Sequence, residues 1–356
     1  MLQSREFLHR LLDTPSPSGF EEAARAVWRT EVAGFSHQQF TDVHGTEIAT
    51  IRGKSTRTSF LLMGHIDEIG LIVRYVDDQG FLYFEPVGGQ DPDVLISQPV
   101  TLLGRDGHVH GVIGKMAPHL QDEDARNKKL KIHDLYIDIG AKSREEALQL
   151  APVGTAGVVG GPRVSLRNGR FAARDLDNKF GAFVAAEVLR NLWARRESLF
   201  PTVHAAATVQ EETSRFFTGA TTAAYRLEPT AAIAIDVNHS IDVPGLDKRR
   251  FGDAVMGKGA ILTVGVKSSN KLSDAIRASA ERHHLHLQLE SENGYMGTDA
   301  DAMPTIRAGI PTVSIGIPLR YMHNTVEMAE ESDIQAVIGV LSAFLLDVAA
   351  DMDFTA

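Results

Sequence analysis

The 356-residue sequence predicts an α/β fold: a mostly parallel sheet sandwiched by helices, with a small inserted β-barrel domain. Two patterns lead to this prediction. Short apolar runs that end in polar residues alternate with segments of helical periodicity, which is typical of parallel strands buried on both faces. Between residues 71 and 162 this alternation stops, and short Val, Ile and Gly segments are separated by turn dipeptides instead.

Five apolar runs account for the strands of the predicted sheet. Each is short and rich in Val, Ile, Leu or Ala, as expected of a strand that is covered on both sides. The runs are "TSFLLMGHID" (58–67), "TVHAAATVQEE" (202–212), "TAAIAIDV" (230–237), "AILTVGV" (260–266) and "PTVSIGI" (311–317).

Helical periodicity predicts the layers that cover the sheet. The N-terminal segment "MLQSREFLHRLLDTPSPSGFEEAARAVW" has the pattern of an amphipathic helix, with charges along its length. Further helices are predicted in "DNKFGAFVAAEVLRNLWARR" (177–196), "NKLSDAIRASAERHHL" (270–285) and "ESDIQAVIGVLSAFLLDVAADM" (331–352). Strands and helices therefore alternate along the chain, which favours parallel strand connections.

The insert is predicted from segments such as "QPVTLLGRDGHVHGVIGK", which contain turn signals but little helical periodicity. A small barrel or sandwich is the expected structure. This division assigns residues 1–70 and 163–356 to one domain and residues 71–162 to an inserted β-rich domain.

Composition excludes several classes of protein. A formal net charge of −10 provides no basic patch for a polyanion, so nucleic acid is a poor candidate partner. No apolar stretch reaches the roughly 18 residues of a membrane span, so we expect a soluble, cytoplasmic protein with no membrane partner. A small or peptidic substrate is favoured.

Polar residues at the ends of the predicted strands are candidates for the chemistry. Ligands of open α/β sheets bind at the carboxyl ends of the strands. At these positions the sequence has His65, Asp67, Glu211, Glu212 and Asp236.

Two further candidates, Asp177 and His323, lie outside those strands. Taken singly, each candidate is explained as a helix cap, a solvated loop residue or a hydrogen-bonded polar group. Because the chain has no cysteine, a bound metal must be held by His, Asp and Glu. Two histidines and several acids at successive strand ends fit a dinuclear site better than chance capping.

A series of motifs is specific in combination and in order. The motifs are "PSGFEE", "GHIDEIG", "VGGQDPDVL" with "GHVHGVIG", "IHDLYIDIGA", "DLDNKFG", "VQEE", "AIDV" with "DKRRFGDAVMGKGA", "GTDA" and "IPLRYMHNTVEM". With them the chain resembles, over nearly its whole length, the tetrahedral or glutamyl aminopeptidase family of di-metal exopeptidases. The resemblance implies a zinc-exopeptidase-like catalytic domain (1–70 and 163–356) and a dimerisation domain (71–162).

The resemblance also assigns a role to each candidate ligand. It implies that His65 and Asp236 hold one metal ion, that Glu212 and His323 hold the other, and that Asp177 bridges the two. Two divalent ions per subunit are expected, with zinc first and cobalt or manganese as alternatives. An anionic bridge suits this arrangement, since two neighbouring cations repel each other.

Two acids are expected to act beside the metals. Asp67 is predicted to hydrogen-bond the second ring nitrogen of His65, which would fix the tautomer of that histidine. Glu211 is predicted to be the general base. Since neighbouring residues on a strand face opposite ways, Glu211 and Glu212 can serve one site only where the strand gives way to a loop.

Two segments depart from the pattern of the family. After the glutamate pair the chain has "TSRFFTGA", where members usually have the shorter "VGLRGA", so substrate selectivity stays open. The bridging motif is Asp177-Asn178-Lys179 instead of Asp-Asp-Arg, and neither change removes a ligand. In such peptidases a cis peptide commonly follows the bridging Asp, so the Asp177–Asn178 bond is expected to be cis.

These inferences predict a metal-dependent aminopeptidase that acts on short peptides. A di-metal amidase or deacylase acting on N-acylated amino acids would use the same centre and is the alternative. A glycosidase is disfavoured, because adjacent glutamates rarely flank a sugar bond from opposing walls. The chain is expected to self-associate through the β insert as a dimer. Relatives assemble such dimers into a tetrahedral dodecamer, which is the larger assembly expected here.

Overall fold

A computed structural model describes residues 4–120 and 129–355 of the chain. Within these ranges the strands are β1 (Gln38–Thr41), β2 (Glu47–Ile51), β3 (Ser59–His65), β4 (Gly70–Val76), β5 (Leu82–Val87), β6 (Pro99–Gly104), β7 (Gly107–Gly114), β8 (Tyr136–Asp138), β9 (Ala156–Val159), β10 (Val164–Ser165), β11 (Arg170–Ala173), β12 (Thr202–Thr208), β13 (Ala231–His239), β14 (Ala260–Gly265), β15 (Leu287–Glu292), β16 (Thr312–Leu319) and β17 (Glu327–Glu330). The α-helices described are α1 (Arg5–Asp13), α2 (Glu22–Val32), α3 (Pro92–Leu95), α4 (Arg144–Leu150), α5 (Leu176–Trp193), α6 (Thr218–Leu227), α7 (Lys248–Phe251), α8 (Asn270–Arg282) and α9 (Glu331–Asp347).

The main sheet has eight strands among the described residues, in the order β1-β2-β12-β3-β13-β16-β14-β15. Its centre is parallel: β12 pairs with β3, β3 with β13 and β13 with β16, each in parallel. Strands β1 and β2 are antiparallel additions at one side, and β14 pairs antiparallel with β16 at the other. The predicted mostly parallel sheet is confirmed, and all five predicted strands belong to it.

Helices cover both faces of the sheet. Phe60 and Leu62 of β3 pack into a core that includes residues of α1, α2, α5, α8 and α9. The alternate residues Leu61 and Met63 pack into a second core with α6. Side chains of a strand point alternately to its two faces, so both faces of β3 are buried and its residues 60–63 are all apolar.

A closed barrel interrupts this arrangement. Its strands follow the order β4-β5-β8-β7-β6-β9, and its core is built by residues such as Leu71, Leu102, Ile113 and Ile137. The expectation of an inserted barrel is confirmed, and a closed barrel replaces the sandwich that the sequence left open. A separate small sheet, β10-β11-β17, lies close in sequence to the start of α5 and to the segment after β16.

The N-terminal segment differs from the single amphipathic helix that its pattern predicted. It forms two helices, α1 and α2, separated by a turn that contains Pro15 and Pro17. Proline lacks an N–H donor and disfavours helical geometry in the residue before it, so the helix ends. In the described ranges, no helix is both long enough and apolar enough to span a bilayer.

Candidate metal centre

The central parallel strands bring the predicted residues to one edge of the sheet. His65 is the last residue of β3, and Asp236 lies near the end of the neighbouring β13. Strand β12, on the other side of β3, ends at Thr208, and Glu211 and Glu212 follow in a turn. Both glutamates can therefore face one site, because the strand has given way to a loop before it reaches them.

Asp177 is placed by the irregular first turn of α5. Its backbone is not helical (φ −86°, ψ 104°), and its peptide bond to Asn178 is cis, as predicted. The side chain of Asn178 then fixes this turn: its Nδ2 donates to the main-chain oxygen of Ile235 (2.8 Å), and its Oδ1 accepts from the N–H of Gly181 (2.8 Å). The entrance of α5 is thus fastened directly to β13, the strand that carries Asp236.

Two glycines allow α5 to approach the sheet closely. A Cβ atom at Gly64 would lie 2.1 Å from the carbonyl carbon of Gly181. A Cβ atom at Gly181 would in turn lie 2.1 Å from the main-chain oxygen of Ile235. No side chain fits at such distances. The glycine before His65 therefore lets the helix that follows Asp177 pack directly against β3.

The two histidines face different oxygens of Asp177. Nε2 of His65 lies 3.3 Å from Oδ1 of Asp177, and Nε2 of His323 lies 3.4 Å from Oδ2. Oε2 of Glu212 lies 3.6 Å from the same nitrogen of His323. Two groups with ligand atoms within 4.8 Å of one another result: His65, Asp177 and Asp236, and Asp177, Glu212 and His323. They share Asp177 and have the same members as the two sets that the family resemblance implies.

Glu211 lies inside the cluster without belonging to either group. Its Oε2 is 3.7 Å from Nε2 of His65, a longer separation than that between His65 and Asp177. Its side chain is 11% exposed, so it borders the opening of the site. Glu211 is thus a carboxylate beside the two groups, and its role as general base stays a prediction.

Asp67 contacts His65 differently from the sequence prediction. Nδ1 of His65 lies 3.0 Å from the main-chain oxygen of Asp67 and 3.6 Å from its carboxylate. The carboxylate instead accepts the N–H groups of Glu211 (3.1 Å) and Glu212 (3.2 Å). The nearest hydrogen-bond acceptor for the histidine is therefore the carbonyl, and the predicted side-chain hydrogen bond is corrected. The side chain holds the turn that presents both glutamates.

The cluster carries more negative charge than nearby cations balance. Burial raises the pKa of Glu211, Glu212 and Asp236 well above the ordinary range, and neighbouring carboxylates add to the effect. Burial also disfavours the charge on Asp177, but hydrogen bonds from His323 and His65 outweigh it and lower the pKa of Asp177. Within the described ranges, no lysine or arginine forms an ion pair with these carboxylates.

The residues fit divalent cations. Oε1 of Glu212 is buried and has no hydrogen-bond partner, which is costly unless a ligand satisfies it. The donor set consists of imidazole nitrogens and carboxylate oxygens, which suit zinc, manganese and cobalt. The uncompensated negative charge points to the same kind of ligand, since a bound cation is the largest local charge in such a site.

Lys179, the last residue of the unusual bridging motif, is fully buried behind the cluster. Its Nζ pairs with Asp175, lies 3.2 Å from Oε1 of Glu68 and donates to the main-chain oxygen of Thr14 (2.5 Å). Arg174 pairs with Glu68 from another side. Lysine at this position therefore belongs to a buried ion network that supports the Asp177 segment, and it provides no ligand.

A cleft of about 450 Å³ opens beside the cluster, a size typical of small-ligand sites. Its other walls include Thr213, Arg215 and Phe217, all from the segment "TSRFFTGA". Tyr295 and Met322 also line the cleft. The segment that departs from the family pattern therefore forms part of the wall of this cleft.

Sequence reasoning assigned no role to Glu327, which the structure places against the cluster. It is 2% exposed, and its two oxygens accept the N–H groups of Asp177 and His323, each at 3.0 Å. The motif "IPLRYMHNTVEM" contains this residue, but a motif does not specify a side-chain contact with main-chain atoms of a distant segment.

Comparison with known proteins identifies the family. The sequence profile of the M42 glutamyl aminopeptidases matches residues 45–340. A lysyl aminopeptidase of Pyrococcus furiosus is 31% identical over 98% of this chain and 99% of its own length. A TET aminopeptidase from a marine sediment archaeon of the Thaumarchaeota has a TM-score of 0.92 at 31% identity, over 98% of this chain and 97% of that one.

A second solved structure adds a relative of known assembly. The TET1 peptidase of Pyrococcus horikoshii, which can assemble into a tetrahedron or a large octahedral shell, has a TM-score of 0.85 at 29% identity. The match covers 97% of this chain and 99% of that one. Since the family profile spans most of the sequence and the likeness extends over whole chains, this protein is an aminopeptidase and belongs to the M42 glutamyl aminopeptidase family.

Proposed function

We propose that the protein removes N-terminal residues from short peptides at a centre of two divalent metal ions. One observation carries the proposal: the two oxygens of Asp177 face two different imidazoles, His65 on one side and His323 on the other. In this proposal His65, Asp177 and Asp236 hold one ion, and Asp177, Glu212 and His323 hold the other.

The ions supply Lewis acidity, which polarises a peptide carbonyl and makes water more acidic. The chain's own residues perform the remaining tasks. Glu211 removes a proton from the attacking water and delivers it to the leaving amine, which is general acid–base catalysis by one carboxylate. Asp67 keeps Glu211 in place through the hydrogen bond to its N–H. The acidic wall of the cleft favours the positively charged N-terminus of a peptide.

Side-chain selectivity is assigned to the wall made by "TSRFFTGA". Relatives include lysyl and glutamyl aminopeptidases, so the family name alone does not specify the preferred residue. Arg215 brings a permanent cation to a cleft whose other lining residues are carboxylates, histidines and uncharged side chains. The wall thus differs from the metal cluster in both charge and polarity.

Self-association through the inserted domain (71–162) is part of the proposal. Tyr75, Val112 and Leu120 are exposed apolar side chains of that domain, which is the kind of surface that a subunit contact covers. Tetrahedral assembly of a relative supports a dodecamer. Light scattering of the metal-loaded protein tests this: a dimer or dodecamer is expected, a dimer alone rejects the dodecamer, and a monomer at micromolar concentration rejects both.

The activity is tested with matched peptides. The metal-loaded protein is expected to hydrolyse a peptide with a free N-terminus and to leave the N-acetylated form of the same peptide intact. Removal of metal with a chelator should abolish the reaction, and addition of zinc, cobalt or manganese should restore it. Preference for the acetylated peptide would instead support the amidase or deacylase alternative.

A further inference from the structure

Glu327 connects the two segments that carry Asp177 and His323. It is the first residue of β17, and its side chain is buried. Oε2 accepts the N–H of Asp177 and Oε1 accepts the N–H of His323, each at 3.0 Å. One carboxylate thus joins the start of α5 to the loop that follows β16.

Neither segment has regular secondary structure at the point of contact. Asp177 lies in the non-helical entrance of α5, and His323 has a φ of +59°, in the left-handed region that non-glycine residues rarely adopt. Local backbone preference therefore does not fix either residue. Buried N–H groups need acceptors, and Glu327 supplies one to each.

Glu327 itself is held firmly. In the small sheet it lies opposite Ala173, four residues before Asp177. On the other side, Arg320 and Met328 exchange two main-chain hydrogen bonds of 3.0 Å, which close the loop that contains His323. The carboxylate is therefore mounted on a paired strand and placed between the two segments it contacts.

We propose that Glu327 is a positioning residue that sets the separation of Asp177 and His323, and thereby the affinity of the ion held by Asp177, Glu212 and His323. This inference rests on the proposed function. Glu327 is absent from the lining of the substrate cleft but lines a smaller cavity with Asp177, Glu212 and His323. Its hydrogen bonds to Asp177 and His323 are made to their main-chain N–H groups, so it acts on that ion by placing these two segments. The ion of the first ligand group is held by His65 and Asp236 besides Asp177, and Glu327 forms no hydrogen bond with either of those two residues.

Glu327→Gln is the test variant, because glutamine keeps the shape but has one acceptor oxygen for two N–H donors. Glu330→Gln is the matched control. Glu330 lies on the same strand, and its carboxylate pairs with Arg170 (3.1 Å) and accepts from the hydroxyl of Ser332 (2.8 Å). Glu327→Asp is the second variant, since its shorter side chain keeps the charge but cannot span both donors.

Calorimetric titration of the metal-free protein with zinc measures the affinity of each of the two binding steps. The variants His65→Ala and His323→Ala each remove one histidine, and the step that is lost in each variant belongs to the ligand group of that histidine. Glu327→Gln and Glu327→Asp should weaken the step that His323→Ala removes by about 10- to 100-fold, the range for residues that orient metal ligands. The step that His65→Ala removes should change less, and Glu330→Gln should change neither. Thermal unfolding of each metal-free variant confirms the fold; if Glu327→Gln does not fold, Glu327→Asp decides.

Wild-type affinity for both ions in the Glu327 variants would overturn the inference, as would equal weakening of both steps. These results would leave the proposed two-ion centre intact. If the wild-type protein bound only one zinc ion, the two-ion proposal would fail and the inference with it. With excess zinc, the variants should keep the KM of the wild-type enzyme for a peptide, since Glu327 does not contact the substrate.

Discussion

Asp67→Asn is expected to lower both stability and catalysis, through the turn that carries the two glutamates. The carboxylate of Asp67 is fully buried and accepts the N–H groups of Glu211 (3.1 Å) and Glu212 (3.2 Å). Asparagine has the same size but offers one acceptor oxygen, and its amide nitrogen would face the other donor. One buried N–H then has no partner.

The magnitude follows from that single unpaired donor. A buried donor without a partner costs about 1–3 kcal/mol, so the variant should lose stability in that range. The turn also relaxes, and a shift of a catalytic group by about 1 Å can lower the rate by about 10²-fold. We therefore expect kcat to fall by about 10- to 100-fold. Urea unfolding of the metal-free protein and kcat of the metal-loaded enzyme measure the two effects.

Asp42→Asn is the matched control. Oδ1 of Asp42 accepts the N–H groups of His44, Gly45 and Thr46, each at 2.9 Å, in a turn outside the metal cluster. All three N–H groups share one oxygen, which asparagine keeps, so the control should retain nearly the wild-type unfolding free energy and the wild-type kcat. If Asp67→Asn kept both its unfolding free energy and its kcat, or if both variants lost kcat equally, the assigned role of Asp67 would be wrong.

Two further predictions concern Glu211 and Glu21. Glu211→Gln should retain the metal content and lower kcat by about 10²-fold or more, the scale of lost general-base catalysis; wild-type turnover would assign the base to another group. Burial, with Asp67 nearby, raises the pKa of Glu21 to about 7 from 4.5. The folded state then binds a proton more tightly than the unfolded state, so this residue lowers stability as pH rises from 4.5 to 7. Glu21→Gln should remove about 2–4 kcal/mol of that loss. Urea unfolding at pH 4.5 and 7.5 measures it, as the change in the free energy of unfolding between the two pH values in the variant and in the wild type. An equal change in both proteins would contradict the prediction.

The candidate site was predictable from the sequence because its residues follow parallel strands. Apolar runs identify β3, β12, β13 and β16, and the carboxyl ends of parallel neighbours meet at one edge. His65, Glu212 and Asp236 therefore converge without further information. Asp177 and His323 lie outside these runs; their residue types made them candidates, but only the likeness of their motifs to a known family assigned them roles.

Contacts between a side chain and a distant main chain were not predictable. The spacing of His65 and Asp67 suggested a bond between their side chains, but the carbonyl of Asp67 is closer, and its carboxylate binds N–H groups more than 140 residues away. The contacts of Glu327 could not be predicted from the sequence for the same reason, since its partners are main-chain N–H groups. In the N-terminal segment the apolar periodicity continued across Pro15 and Pro17, but the prolines divide the helix.

Metal content measured together with turnover, for the wild type and Asp177→Ala, tests the central claim most directly. The claim is that Asp177 joins two ions in the centre of an aminopeptidase. Elemental analysis should find two divalent ions per wild-type chain. The wild-type protein should also cleave a peptide with a free N-terminus. Asp177→Ala should hold fewer ions and lose nearly all turnover, because both ligand groups lose their shared member. An Asp177→Ala protein with full metal content and wild-type turnover would contradict the account.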